Sequence, residues 1–294
     1  MSHAPDAGLL ASGARLVWQR RRLLVRVYGV LLLLGLLATL PVAGAAGRIL
    51  DSSLGAEGLR GEFDLVVFLD LLSRPETSPS QFMPGALGAA VLFFLALLFL
   101  TGGILLSYGR EGVLGSSEFY GACGSFFWAF LRLAGLLLVA LVPVALGTRA
   151  LSKLAERASD AWPHAMAGFA VTAPGLLLLA LLALLIRLVF DMAQVHAVAQ
   201  GERRIRRSVI EGFRLVRGNF SRLYGSFVAV ALVTTAAEAL ALWAWARFVP
   251  PAAVGLSFVL GQLLSLFWLA GRLWQRSLES VFYRQRAGPR STSS

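Results

Sequence analysis

The chain has 294 residues, is 57% hydrophobic and 15% charged, and carries a formal net charge of +11. Ordinary soluble domains are about 25% charged, and six membrane-crossing helices of about 20 residues each use most of this length, so a second, soluble domain is excluded. The positive charge does not mark a nucleic-acid binder, because no soluble basic domain remains to do the binding.

The basic residues are 26 arginines and one lysine, Lys153. They flank apolar runs, where they anchor helices and meet anionic lipid headgroups. Six spans are predicted, at about 27–46, 85–108, 126–147, 165–186, 223–246 and 248–271. This defines an all-α integral membrane protein, a bundle of six transmembrane helices with cytoplasmic amphipathic lead-in helices. Residues 1–22 form a basic N-terminal segment and 23–274 the membrane domain. Residues 275–294 are expected to be a cytoplasmic tail, partly disordered.

The first span follows Arg15, Arg20, Arg21, Arg22 and Arg26. Val42 to Ala46 (VAGAA) resembles a signal-peptidase site. The apolar run is too long and its lead-in too bulky for a signal peptide, so an uncleaved anchor is expected. In the long loop that follows, Glu62 to Leu72 (EFDLVVFLDLL) groups Phe63, Val66, Val67 and Leu71 on one face and predicts a short surface helix. The second span begins after Pro84 and contains Gly102 and Gly103, which permit close packing or a bend. Pro143 and Pro174 sit in the third and fourth spans and are candidate kinks. The last two spans make a tight hairpin through Pro250 and Pro251.

Counting Lys and Arg by side gives 20 on the side of the two termini and seven on the other. Basic residues mark the cytoplasmic side. Both termini are therefore expected to be cytoplasmic, in a bacterial inner membrane. Trp18, Phe127, Trp128, Phe220, Tyr224 and Trp274 cluster at the inner edge; Trp162, Trp243, Trp245 and Phe248 cluster at the outer one, as an interfacial belt requires.

Three spans share a basic, aromatic approach: GARLVWQRRRL, FFWAFLRL (Phe126 to Leu133) and the segment from Glu211 to Gly225. The strongest lead-in is Arg203 to Arg217. There Ile205, Val209, Phe213 and Val216 follow helical spacing, and Arg203, Arg204, Arg206, Arg207, Arg214 and Arg217 fill much of the remainder. Such a helix lies in the interface, apolar face down. Its arginines either retain the loop in the cytoplasm or form a docking surface for anionic lipid or a partner protein.

Glu238 is the one acid deep in a span. An ionised carboxylate there costs at least about 2.5 kcal/mol, so it must be protonated, paired or facing water. Thr234 and Thr235 lie one turn before it, and Ala231, Thr234, Glu238, Ala241 and Trp245 form a stripe of small and polar residues that faces protein. Glu238 either hydrogen-bonds across helices, to Thr101 or Ser226, or carries protons or substrate. Arg187 and Asp191, four apart at the inner end of the fourth span, can pair on one helix face; Arg187 and Arg132 can also snorkel.

No catalytic constellation is present. The lone cysteine, Cys123, builds neither a disulfide nor a metal site. His3 and His164 fall in a tail and a loop, and His196 has no second ligand nearby. There is no phosphate-cradling loop, so no metal, cofactor or enzymatic activity is expected.

The segment RLVFDMAQVHAVAQGERRIRRSVIEGFRLVRGNF, with Asp191 after the span and a basic helix before the next, resembles a pattern in uncharacterised bacterial six-span proteins. It is similar to the membrane domain attached to some glycerophosphodiester phosphodiesterases. The resemblance covers about an eighth of the chain and implies the fold; the phosphodiesterase catalytic domain is absent, so that activity does not carry over. Two functions are compatible with these features. The first is a non-enzymatic component that organises membrane lipids or partner proteins, including a second copy of itself. The alternative is a permease subunit or proton-coupled transporter that uses Glu238.

Overall fold

A computed structural model describes residues 7–52, 79–110, 112, 114–161, 167–250 and 253–287. The predicted surface helix at 62–72, together with Trp162 and His164, lies outside these residues. Among the described residues there are eight helices and no strand. They are α1 (Ala7–Gln19), α2 (Arg21–Ser52), α3 (Pro79–Gly109), α4 (Ser116–Ala161), α5 (Ala167–Gln200), α6 (Ile205–Gly218), α7 (Phe220–Phe248) and α8 (Val254–Ala287). All but α1 and α6 are long and apolar enough to cross a membrane, so the chain is an all-α, six-span membrane protein.

Several helices outrun the predicted spans. α4 has 46 residues and α5 and α8 have 34 each. At 1.5 Å per residue these are about 69 and 51 Å long, against about 30 Å of hydrocarbon. Their ends therefore leave the apolar layer while staying helical. Pro143 and Pro174 are accommodated inside helices. Two lead-ins are separate helices, α1 and α6, but the third, Phe126 to Leu133, is an uninterrupted part of α4.

The chain packs as two compact units. The first comprises residues 1–16, 101–231 and 274–294. Glycine lets its helices approach closely. A Cβ on Gly102 would come within 2.8 Å of the Ala122 carbonyl, and one on Gly103 within 2.7 Å of Cys123 Sγ. Gly147 of α4 receives Leu179 of α5, and Gly175 of α5 receives Leu151 of α4. These reciprocal fits set the two helices antiparallel. α5 ends on Gly201, at φ 64°. The Glu202 N–H donates to the Ala197 carbonyl (2.9 Å) and the Gly201 N–H to Val198, the glycine-dependent stop of a Schellman turn. The turn folds α6 back against α5, where a Cβ on Gly212 would sit 2.7 Å from the Val189 carbonyl.

Within the C-terminal segment 275–294, the described residues are helical. α8 continues to Ala287, and Leu278, Val281, Phe282 and Tyr283 are buried. Leu278, Val281 and Phe282 follow i, i+3, i+4 spacing and give the helix an apolar stripe. α1 docks on the same helix, where Trp274 Nε1 donates to the Leu10 carbonyl (3.1 Å) and Ser277 Oγ to that of Gly13 (2.9 Å).

The second unit comprises residues 17–100 and 232–273. Val27 and Leu23 are buried in it, the Tyr28 hydroxyl donates to Gln262 Oε1 (2.8 Å), and Gly271 accommodates Thr234.

Cys123 is fully buried, so its thiol reports unfolding rather than the side of the membrane. Gly212→Ala should destabilise the protein by about 1–3 kcal/mol, the usual cost of overpacking, because backbone blocks the new methyl. Gly225→Ala, with nothing within 4 Å, should not. The order of midpoints for Cys123 reaction with a thiol-reactive dye during thermal unfolding checks this.

Candidate functional site

Two groups of polar residues lie within apolar helices, one in each unit.

In the second unit, Glu238 lines a cavity of about 530 Å³. The residues α7 contributes are Glu238 and Leu242. From α2 come Tyr28, Leu36 and Thr39 among others, from α3 Phe93, and from α8 Phe258, Gln262, Ser265 and Trp268 among others. Glu238 is half-buried and, among the described residues, forms no hydrogen bond or ion pair. Its expected partner Ser226 lies three turns earlier on the same helix, about 18 Å away, and the Ser226 hydroxyl is buried without a hydrogen bond. Thr234 and Thr235 do not assemble with Glu238 around this cavity. Thr234 faces Gly271, and Thr235 is exposed. The polar groups that share the cavity with Glu238 are Tyr28, Thr39, Gln262 and Ser265. They come from helices distant in sequence, and no motif announces them.

In the first unit, Arg187 and Asp191 pair as their spacing predicts, Nε to Oδ2 at 3.4 Å. The pair is part of a larger cluster. Arg276 Nη1 lies 2.9 Å from Asp191 Oδ1 and 3.3 Å from Glu279 Oε2. Arg187 also donates to Gln275 Oε1 (2.9 Å) and sits over the Phe227 ring. The side chains of Asp191 and Glu279 are 5% and 0% exposed. Two guanidinium groups thus face two carboxylates, and the cluster balances its formal charge. Asp191 Oδ2, Gln194 Oε1 and Glu279 Oε1 accept no hydrogen bond. Arg276 and Glu279 fall in the segment expected to be a tail; the stripe Leu278, Val281, Phe282 is the sequence signal that marks it as a packed helix. His196 is held through Nδ1 by the Tyr283 hydroxyl (3.1 Å), which also accepts from Gln200 Nε2 (3.0 Å).

On α6 the predicted apolar face is divided. Ser208, Gly212 and Val216 are buried, whereas Phe213 and Ile210 are exposed. The absence of a side chain at Gly212 is what draws this other face onto α5. Arg203, Arg204, Arg206, Arg207, Arg214 and Arg217 are all exposed. Arg207 pairs with Glu202 (3.4 Å) and Arg214 with Glu211 (2.8 Å). Groups of three or more His, Cys, Asp or Glu able to hold a metal are absent among the described residues.

Comparison with protein-family models, curated proteins and solved structures finds no match to this chain.

Arg276→Met would leave two buried carboxylates short of their counter-charge, and should cost about 3–5 kcal/mol. Arg110→Ala removes an exposed partner of Glu118 and should cost less than about 1 kcal/mol. Unfolding in mixed micelles of rising sodium dodecyl sulfate content measures both.

Proposed function

We propose that this multi-pass membrane protein is a permease-type transporter of a bacterial cytoplasmic membrane, and that its binding site is the cavity around Glu238. One observation carries the reading: a carboxylate deep in a span lines a cavity of about 530 Å³ without a protein partner among the described residues. That volume is in the range of small-molecule sites, about 300–1,000 Å³. An intramembrane ionisable residue facing a cavity is the usual mark of a substrate or ion path. The excess of Lys and Arg on one side supports cytoplasmic termini.

A second reading has its own support. On α6, Ile210 and Phe213 are exposed beside Arg203, Arg204, Arg206 and Arg217, which form no ion pair among the described residues. Apolar side chains next to unpaired guanidinium groups suit an anionic lipid surface, as expected of a component that organises lipid.

The transporter reading is tested at Ser265, a lining residue of the cavity. With Cys123 buried, the thiol of Ser265→Cys should react with a charged methanethiosulfonate reagent added to either face of oriented vesicles, as alternating access demands. A thiol that is inert from both faces would sink the reading. For α6, replacing Arg203, Arg204, Arg206 and Arg217 by Gln should reduce co-purifying phosphatidylglycerol and cardiolipin, counted by native mass spectrometry, with no change in the thermal midpoint.

A further inference from the structure

We propose that the cavity around Glu238 takes a lipophilic organic cation, a quaternary ammonium or phosphonium centre enclosed by aryl or alkyl groups; this rests on the reading of that cavity as a binding site.

Among the described residues, Glu238 is the only ionisable carboxylate in the lining, and no Arg, Lys or His lines it. Arg272, the nearest base along α8, is engaged over the Trp268 ring, 5.3 Å from its centroid, and does not line the cavity. An ionised Glu238 is therefore a negative charge that the wall does not neutralise, and burial makes such a charge costly until a partner arrives.

The neutral polar groups point the same way. Thr39 Oγ1 donates to the Leu36 carbonyl (2.8 Å), Ser265 Oγ to Gly261 (2.9 Å) and the Tyr28 hydroxyl to Gln262 Oε1 (2.8 Å). Each hydroxyl proton is committed within the protein. What these groups still present is oxygen lone pairs. Among the described lining residues, the Gln262 amide and the Trp268 indole N–H are the remaining side-chain donors, both neutral, and neither offers an anion a counter-charge.

The rest of the wall decides what kind of cation fits. Leu31, Leu32, Leu36, Leu242, Leu264 and Leu269 are apolar, and Tyr28, Phe93, Phe258 and Trp268 add aromatic rings. Ring faces attract cations. A hard metal cation needs six or more oxygen ligands in a tight shell, which this wall does not supply. A small ammonium ion could reach Glu238 and a few of these oxygens, but it would leave most of the apolar wall uncovered. A large cation with dispersed charge loses little hydration and fills the apolar volume.

Tetraphenylphosphonium and tetraphenylborate have the same shape and opposite charge. Their equilibrium binding to the purified full chain in phosphatidylcholine nanodiscs, corrected with empty discs, tests the inference. Tetraphenylphosphonium should bind saturably and tetraphenylborate far more weakly. Glu238→Gln should weaken tetraphenylphosphonium by on the order of 30-fold, the lower end for losing one partner of a buried charge pair, at an unchanged thermal midpoint. Ser265→Phe, which fills the cavity from another helix, should abolish saturable binding. Equal binding of the two ions by the wild type, or full retention in Glu238→Gln, overturns the cation assignment and leaves the cavity as a binding site for lipophiles. Saturable binding of neither ion overturns the binding site as well. The comparison of the two ions in the wild type needs no variant to fold.

Discussion

Hydrocarbon offers no hydrogen-bond partner to a peptide group and no counter-ion to a charge, so each must be satisfied from within the chain. That constraint explains why the described residues contain helices and no strand. It also explains why the helices meet through glycine. With no hydrophobic force between helices in lipid, close backbone approach supplies the attraction. Gly102 against Ala122, Gly212 against Val189, and the exchange between Gly147–Leu179 and Gly175–Leu151 are the places where this approach is made.

The same constraint is met in two opposite ways at the charged residues. In one unit, Arg187, Asp191, Arg276 and Glu279 pair with one another across two helices and balance their formal charges. Replacing such a cluster by apolar groups is often neutral, whereas breaking it is costly; its evident contribution is to fix the pairing of α5 with α8. In the other unit, Glu238 lines a cavity it shares with three hydroxyls, of Tyr28, Thr39 and Ser265, whose protons are already placed. A self-neutralised cluster is structural. An acid facing a cavity without a protein counter-charge is where binding chemistry is expected.

The arginine-rich helix α6 shows how a periodic pattern can mislead. Ile205, Val209, Phe213 and Val216 mark a stripe by spacing, yet the face that packs runs through Ser208, Gly212 and Val216. Hydropathy gives glycine little weight, but in lipid the absence of a side chain is what allows a neighbouring helix to come close. Thr234 and Thr235 are near Glu238 in sequence but do not share its surroundings. Their neighbours, Gly271 for one and the exterior for the other, depend on the rotation of α7, which its own composition specifies only weakly.

The sequence by itself determined the fold class, the six crossing segments and the Arg187–Asp191 pair. Each of these depends on local quantities: apolar run length, basic flanks, and the spacing of four that sets two side chains on one helix face. It also singled out Glu238, because one acid in an apolar run is visible without any neighbour. Only the tertiary structure decided where the helices end and what surrounds each polar group. Arg276 and Glu279 join Asp191 from a segment more than 80 residues away, and Tyr28 meets Gln262 across 234 positions. Apolar helices alike in composition carry little information about which neighbour they choose. That choice is made by packing of small residues and pairing of buried polar groups, which exist only once the helices are together.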